Sequence, residues 1–310
     1  MGNIGYACIN MTLGKKGILT GRAMRKATLE EKGVAHASAL ALQNALDLET
    51  ILKWNVDNDI YLFRLGSDLF PWGNKVDVTT FPDYNEICTV LARCGQFATD
   101  NNMRINSHPG PFNLLASPKE DVVLNTILDL EMHALLFDLM GLSRTHYNNI
   151  NIHVGATYGD KYTAAATWCK NFFRLSEGVR SRLTIENDDK GSMYSVRDLY
   201  ELIYTHTQVP IVFDYHHHTF CDGGQSQQEA LELAMSTWHG VTPEVHYSES
   251  KSLHESNDKL NPRAHSDYVT SYIDTYGNDV DIMIEAKAKE LALLEYRRLH
   301  EKSLQKQAVL

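Results

Sequence analysis

Residues 210–218 read PIVFDYHHH, a run of apolar residues that ends in an aspartate, a tyrosine and three histidines. The apolar part is continuous rather than alternating, which is typical of a strand covered on both faces. Seven other runs of this type occur in the chain: IGYA (4–7), IYLFRL (60–65), MRIN (103–106), INIHV (150–154), RLTIE (182–186), EVHY (244–247) and DIMIE (281–285). The sequence therefore predicts eight buried strands.

Longer segments with helical spacing of apolar residues separate these runs, for example 39–56 and 123–139. Eight alternating strand and helix units predict parallel strands with right-handed crossovers, closed into a (β/α)8 or TIM barrel. A doubly wound open sheet is the alternative, but no glycine-rich nucleotide-binding motif follows a strand. We therefore expect an α/β protein with a single TIM-barrel catalytic domain over residues 1–310 and no nucleotide cofactor.

The amino-acid composition limits the classes of protein to which the chain can belong. Hydrophobic residues make up 43% and charged residues 22% of the chain, which is typical of a globular protein. We expect an intracellular, cytoplasmic protein with no membrane partner, because the start MGNIGYACIN lacks the pattern of a signal peptide. The five cysteines include no C-x-x-C pair, so reduced, packed thiols are expected.

The net charge of −10 argues against a nucleic-acid partner, because phosphate binding depends on lysine and arginine. The segment 15–32 reverses this balance locally. It contains six basic residues, opposed only by Glu30 and Glu31: Lys15, Lys16, Arg22, Arg25, Lys26 and Lys32. From charge alone, a solvated loop is the favoured interpretation and a DNA-binding segment the alternative.

Imidazole and carboxylate side chains occur at the same end of six successive predicted strands, where a TIM barrel builds its active site. One histidine at a strand end is usually a structural residue, but six coincidences indicate a shared site. Neutral imidazole and carboxylate are ligands that zinc, manganese and similar ions share. The candidate metal ligands are His108, His153, Glu186, Asp214, His217, Glu244, His246, His265 and Glu285.

Two chemistries without a metal fit this set less well. A glycosidase needs a pair of carboxylates and has no use for five histidines, and a nucleophile relay expects a G-x-S-x-G turn that is absent. Nine candidates exceed the three protein ligands of a catalytic zinc. We therefore expect two or three clustered ions bridged by Glu186, an arrangement that is typical of in-line phosphodiester cleavage.

The three histidines of the opening stretch should differ in role. The spacing Asp214-x-x-His217 lets both side chains face one ion as the strand gives way to its loop. Successive side chains of an extended backbone point to opposite sides. We therefore expect His217 to be a ligand and His216 or His218 to support it or to pack in the core.

Stretches from the first strand to the last helix resemble the UV damage endonuclease family. The most specific are IENDDK (185–190), FDYHH (213–217) and MIEAK (283–287), and HPGPFN, NINIHVGATYGDK and RAHSDYV occur in the same order as in the family. The resemblance implies a barrel related to endonuclease IV and the sugar isomerases, with up to three divalent ions, most often Mn2+, with Zn2+ or Mg2+ as alternatives.

The resemblance also implies a function and a site. It implies cleavage immediately 5′ of cyclobutane pyrimidine dimers and 6-4 photoproducts in double-stranded DNA, leaving 3′-hydroxyl and 5′-phosphate ends, and activity on abasic sites. All the strand-end candidates except Glu244 correspond to family ligands. Catalytic roles are expected for Glu186 and Glu244, for Lys287 at the phosphate, and for Tyr6 and Asn10 in the pocket.

Two positions depart from the family pattern. Many members have a lysine, which can be carbamylated, where this chain has Glu244. Glutamate offers a carboxylate on a shorter arm, so we expect a direct or nearby ligand, with pairing to a basic neighbour as the alternative. Members also have glutamine where this chain has Pro111, which leaves Phe112 as the residue able to stack on or wedge between bases.

With the resemblance, the basic segment is interpreted as a DNA contact. The expected DNA-binding residues are Pro111, Phe112, Lys15, Lys16, Arg22, Arg25 and Arg104. We expect a monomer that acts on damaged DNA. Three other classes stay open: an apurinic endonuclease of the endonuclease IV type, a metal-dependent sugar isomerase, and a module that binds damage without cutting.

Overall fold

The computed structural model describes the backbone of residues 2–307 and the side chains of residues 2–300. Eight strands, all parallel, form a closed barrel in chain order, with β1 paired to β8. The strands are β1 Ile4–Ala7, β2 Leu62–Leu65, β3 Arg104–Ser107, β4 Ile150–His153, β5 Leu183–Glu186, β6 Ile211–Asp214, β7 Glu244–Tyr247 and β8 Asp281–Ile284. The predicted (β/α)8 barrel is confirmed; Met1 and residues 308–310 of the predicted domain lie outside the described residues.

Helices cover the outside of the barrel. The α-helices are Met11–Gly14, Lys26–Asp57, Tyr84–Asp100, Glu120–Leu139, Lys161–Phe172, Glu177–Arg180, Val196–Leu199, Thr205–Thr207, Tyr215–His218, Gln227–Met235, Lys251–His254 and Glu290–Gln307. The second of these helices is interrupted at Gly33, whose φ of 70° is not helical. Single 3-10 turns occur at Val78–Thr80 and His146–Asn148, and a π-helical turn spans Tyr200–Tyr204. Within residues 2–307, every helix is too short or too polar to cross a membrane.

The main hydrophobic core lies between the strands and the surrounding helices. Residues such as Phe63 and Ile185 point outward from the strands and pack with helix residues such as Leu48 and Phe137, all fully buried. Because side chains alternate along a strand, their neighbours point into the barrel. The core therefore forms a shell around the barrel rather than filling it.

The interior of the barrel is mostly polar. A separate small apolar cluster of Ala7, Leu62 and Met283 lies inside the barrel. Gly5 of β1 allows the close approach of Leu62, because a Cβ at Gly5 would lie 2.4 Å from the Leu62 carbonyl oxygen. The remaining volume holds hydrogen-bonded and charged groups.

Four polar residues of β3, β7 and β8 form a layer that we call the floor: Arg104, Asn106, Glu244 and Asp281. Arg104 is fully buried and donates hydrogen bonds to the Asp281 carboxylate and the Thr242 carbonyl, both at 2.9 Å. Asn106 donates to Glu244 Oε1 at 2.5 Å. The floor closes the barrel below the carboxyl ends of the strands and supports the groups above it.

Candidate metal centre

Strand register brings the predicted ligands together at the carboxyl end of the barrel. His153 of β4 lies beside Glu186 of β5, and Asp214 of β6 lies beside His246 of β7. Each of these pairs occupies neighbouring inward positions near the ends of the strands. The prediction that the strand ends converge on one site is therefore reproduced by the geometry.

Asp214 also explains the local fold of the three histidines. Its Oδ1 accepts a hydrogen bond from the His217 backbone N–H at 2.7 Å and so caps the short helix that follows β6. This turn brings His217 to Glu186, with Nδ1 at 3.3 Å from Oε1. His216 and His218 are buried elsewhere, His218 packing edge-on against Phe213.

The Glu186 carboxylate lies at the centre of four imidazoles. Its Oε2 atom is 3.0 Å from His108 Nε2 and 3.8 Å from His153 Nε2. Its Oε1 atom is 3.0 Å from His246 Nδ1 and 3.3 Å from His217 Nδ1. Each carboxylate oxygen thus faces two imidazoles, which is the arrangement that a bridging carboxylate requires.

The charges within this cluster are strongly coupled. Burial raises the pKa of Glu186, but the attraction of His246 and His153 outweighs it and holds that pKa well below its usual value. Burial lowers the pKa of His246, but the Glu186 and Glu285 carboxylates outweigh it and raise that pKa to about 10. Protons therefore balance the carboxylate charge when no metal ion does.

Three sets of three side chains could each hold an ion. Within a set, each residue offers one ligand atom, and these atoms lie within 4.8 Å of one another. The sets are His108, Glu186 and His246; His153, Glu186 and His217; and Asp214, His246 and Glu285. They contain seven of the nine predicted ligands. Glu186 and His246 each belong to two sets, so the three sets form one connected centre.

The imidazoles of the centre are oriented by their second nitrogen. In four histidines Nδ1 lies against an oxygen: 3.1 Å from His108 to the Pro109 carbonyl, 2.9 Å from His217 to the Asn187 carbonyl, 2.8 Å from His265 to the Glu285 carbonyl and 3.3 Å from His153 to the Asp188 carboxylate. Metal-binding histidines are usually held in this way, with the other nitrogen free for the ion.

Several buried atoms of the centre lack a hydrogen-bond partner in the described part of the chain. Among them are Asp214 Oδ2 and His246 Nδ1. A buried polar atom without a partner is unfavourable by a free energy of about 1–3 kcal/mol. A cation would satisfy both atoms, and the donor set of imidazoles and carboxylates suits a divalent ion. The residues present therefore fit the predicted metal ions.

Glu244 belongs to the floor and not to any of the three sets found among the described residues. Its Oε1 lies 3.4 Å from His246 Nε2, on the side of the ring that faces away from Glu186. Arg104 Nε lies 3.6 Å from its other oxygen. This geometry matches the alternative expectation, in which Glu244 pairs with neighbouring residues. Glu244 therefore supports His246 from below.

Sequence reasoning missed Arg64, which lies inside the centre. Its guanidinium is bonded to the Glu285 carboxylate and lies 2.6 Å from His246 Nε2. A single arginine within the apolar run LFRL of β2 was the available signal, since a buried cation needs a charged partner.

Asn151 was also missed. It donates a hydrogen bond to Glu186 Oε2 at 2.5 Å from a position two residues before His153. The alternation of polar and apolar residues in INIH indicated that Asn151 and His153 share the inner face of β4. Asn151 thus helps to fix the bridging carboxylate.

The structure buries two residues that are expected in the pocket, one on the first strand and one in its loop. Tyr6 is fully buried and donates to Asn55 Oδ1 at 2.8 Å. Asn10 is also buried, donates to the Tyr6 hydroxyl at 3.0 Å and accepts from the Leu13 backbone N–H at 2.8 Å. Both side chains fasten the loop after β1, and contact with a substrate stays a prediction for them.

The predicted DNA-binding residues divide into two groups. Arg104 was wrongly assigned, because it is fully buried in the floor. Arg22 uses its guanidinium within the protein, donating to Asp47 Oδ2 and the Gly17 carbonyl, both at 2.6 Å. The others are exposed, and DNA contact stays a prediction for them: Lys15, Lys16, Arg25, Pro111 and Phe112.

The loop after β3 carries the most exposed aromatic side chain of the described residues. Phe112 is 85% exposed, and its neighbour Pro111 is exposed as well. Lys287, in the loop after β8, is exposed beside the centre, two residues beyond Glu285. His265 lies at the same rim, held by the Glu285 carbonyl.

The chain was compared with known families and curated proteins. The family model UV-endonuclease UvdE matches residues 2–308. The UV DNA damage endonuclease of Clostridium perfringens is 31% identical over 94% of this chain and 69% of its own length. The UV-damage endonuclease of Schizosaccharomyces pombe is 33% identical over 97% of this chain, which spans 51% of that protein.

Solved structures give the same result for the fold. The crystal structure of SacUVDE superposes with a TM-score of 0.84 and 29% identity, covering 97% of this chain and 99% of that one. Endonuclease IV from Thermus thermophilus superposes with a TM-score of 0.56 and 14% identity over 97% of this chain and 99% of its own. The second likeness concerns the barrel fold alone.

Proposed function

The chain belongs to the UV-endonuclease UvdE family, and from this premise we propose that it is a DNA repair endonuclease that nicks DNA beside ultraviolet photoproducts. The cut falls immediately 5′ of a cyclobutane pyrimidine dimer or 6-4 photoproduct and leaves 3′-hydroxyl and 5′-phosphate ends. Abasic sites are further substrates. The enzyme acts inside the cell, as a monomer, on double-stranded DNA.

The observation that carries this proposal is the Glu186 carboxylate, which faces four imidazoles and joins two of the three ligand sets. His108 and His246 would hold one ion with Glu186, His153 and His217 a second with Glu186, and Asp214 and Glu285 a third. When bound, two or three Mn2+ ions would polarise the phosphate, lower the pKa of a water and stabilise the leaving oxygen. Clustered ions suit in-line phosphodiester cleavage because they can stabilise both the attacking and the leaving oxygen.

The chain's own residues position the substrate. Lys287 is exposed at the rim, next to Glu285, where its ammonium can bind the phosphate to be cut. The exposed ring of Phe112 supplies an apolar face that can wedge into the base stack. A damaged dinucleotide has weakened pairing and stacking, so its extrusion costs less free energy than that of an intact one. Selectivity follows from that difference.

The test is a nicking assay on labelled duplexes that carry one cyclobutane dimer, one abasic site or no lesion, with Mn2+ and with EDTA. Glu186→Gln preserves the size of the buried side chain and removes its charge. Glu201→Ala, exposed on an outer helix, is the control variant. We expect a manganese-dependent cut immediately 5′ of the dimer, present in the control variant and absent from Glu186→Gln.

The other outcomes select the alternatives. Cutting of the abasic duplex alone would identify an apurinic endonuclease of the endonuclease IV type. Tight binding of the dimer without a cut under any divalent ion would identify a damage-binding module. Neither binding nor cutting would direct the search to sugar isomerisation.

A further inference from the structure

A cleft of ≈ 600 Å³ opens beside the metal centre, between the loops that follow β1, β7 and β8. Glu285 and His265 form the wall that it shares with the centre. Three cationic side chains line the rest of its opening: Arg263, Lys287 and Lys289. The cleft is therefore an extension of the site with a chemistry of its own.

The cleft carries an excess of positive charge. Of the described residues that line it, Glu285 is the single carboxylate, and it is bonded to the buried Arg64 guanidinium. Arg263 lies 3.6 Å from Asp189, an ion pair with both side chains about one-third exposed that leaves its remaining N–H groups available. The chain as a whole has a net charge of −10, so this local concentration of cations has the opposite sign to the overall charge of the protein.

Lys289 reaches the cleft through an unusual backbone conformation. Its φ of 56° lies in the left-handed region, which is unfavourable for a residue with a Cβ. The next residue, Glu290, is fixed because its carboxylate accepts the backbone N–H groups of Met11 and Thr12, both at 2.7 Å. The chain thus turns sharply at Lys289, and this side chain lines the cleft.

We propose that this cleft binds a phosphodiester group of the DNA strand next to the one that is cut, with Arg263 and Lys289 as its contacts. The inference rests on the proposed function. If the scissile phosphate lies at the centre and the strand continues past Glu285 and His265, its next phosphodiester, a monoanion, reaches this cationic opening. Contacts to phosphates set the register of a protein on DNA, so the cleft positions the strand relative to the ions.

The first experiment measures binding without cleavage. Fluorescence anisotropy with a labelled duplex carrying one dimer, in EDTA and at several KCl concentrations, gives the slope of log K against log[salt]. Each lost phosphate contact reduces the magnitude of that slope by about 0.9. We expect this reduction for Lys289→Asn and for Arg263→Ala. Asparagine is chosen because it tolerates left-handed backbone, and Lys289→Arg and Arg263→Lys should retain the wild-type slope.

The matched control is Lys170→Ala, an exposed lysine of the outer helix Lys161–Phe172, which should leave the slope unchanged. A second experiment replaces one backbone phosphate at a time by an uncharged methylphosphonate. If Lys289 contacts one phosphate, neutralising that phosphate weakens binding by the wild type and has little further effect on Lys289→Asn. The position so identified should lie next to the scissile phosphate.

Three results would overturn the inference. The slopes could stay at the wild-type value, or every methylphosphonate could be additive with Lys289→Asn, which would reduce the lysine to a general electrostatic effect. Inorganic phosphate could bind the wild type without any effect on its affinity for the duplex, which would assign the cleft to a free anion. Because these measurements need no cleavage, a protein that binds through the cleft but does not nick would contradict the proposed function alone.

Discussion

Glu186 Oε1 lies 3.0 Å from His246 Nδ1, and both residues are shared between ligand sets. The contact lies within the set that contains His108, which Glu186 links to the set of His153 and His217, and which His246 links to the set of Asp214 and Glu285. A change at Glu186 therefore acts on two ion positions, whereas a change at Asp214 acts on one.

Metal content should reflect this sharing. Glu186→Gln removes the anionic ligand of two sets, so we expect it to lose more bound Mn2+ per chain than Asp214→Asn, which removes a ligand of one set. The measurement is metal content by mass spectrometry after loading and desalting. Circular dichroism of both variants checks that they are folded. Equal losses in the two variants would show that Glu186 does not bridge.

Metal affinity should increase with pH. In the metal-free protein the Glu186 and Glu285 carboxylates raise the pKa of His246 to about 10, so an ion that binds Nδ1 competes with a proton there. Calorimetry in buffers of different ionisation enthalpy should detect proton release below pH 10. The exposed His206→Gln variant should release as many protons as the wild type, and binding without proton release would contradict the charge state.

The same pKa predicts how the metal-free protein responds to base. The folded state binds the His246 proton more tightly than the unfolded state, whose pKa is near 6.5. The resulting stabilisation is complete below pH 6.5 and is lost as the pH rises through about 10. Urea unfolding of EDTA-treated protein should therefore show a free energy of unfolding that falls over this range. His246→Gln should flatten this part of the profile.

Phe112 should act on DNA and not on stability. Its ring is 85% exposed, so Phe112→Ala should change the free energy of unfolding by less than about 0.5 kcal/mol. Loss of stacking should weaken binding of dimer-containing duplex by about 1–3 kcal/mol. Phe173→Ala, 58% exposed on the outside of the barrel, is the control and should alter neither quantity. If Phe112→Ala binds the duplex as tightly as the wild type, Phe112 does not insert into the base stack.

Arg104 should show the opposite behaviour. Arg104→Ala leaves Asp281 buried without its partner, so we expect a loss of about 3–5 kcal/mol in the free energy of unfolding. The exposed Lys16→Ala should instead keep the stability and reduce the salt dependence of DNA binding by about one phosphate. Urea unfolding and anisotropy on both variants separate the two roles. An unchanged stability of Arg104→Ala would contradict the structural role of this buried ion pair.

The sequence contained enough to predict the barrel and the composition of the centre. Continuous apolar runs identify strands covered on both faces, and the barrel topology brings their ends together. The spacing Asp214-x-x-His217 correctly predicted which of the three histidines contacts Glu186. Asp214 caps the turn after β6, and this turn directs the His217 side chain toward Glu186.

The height of a side chain inside the barrel was not predictable in the same way. Alternation places Glu244 and His246 on one face of β7, but it does not show that Glu244 lies a layer lower, against Asn106. Likewise, the sequence around Arg104 does not reveal its partner Asp281, which lies 177 residues away on another strand. Arg104 was therefore predicted to be a surface cation. Such pairs follow from the closure of the barrel and not from local pattern.

The apolar shell around the barrel and the polar interior of the barrel have different roles. The shell between strands and helices contains the large packed side chains and specifies the architecture, whereas the interior contributes only a small apolar cluster and can vary in its polar groups. Evolution can therefore rewrite the chemistry of the interior while the architecture persists. The likeness to endonuclease IV, which concerns the barrel fold alone at 14% identity, agrees with that independence.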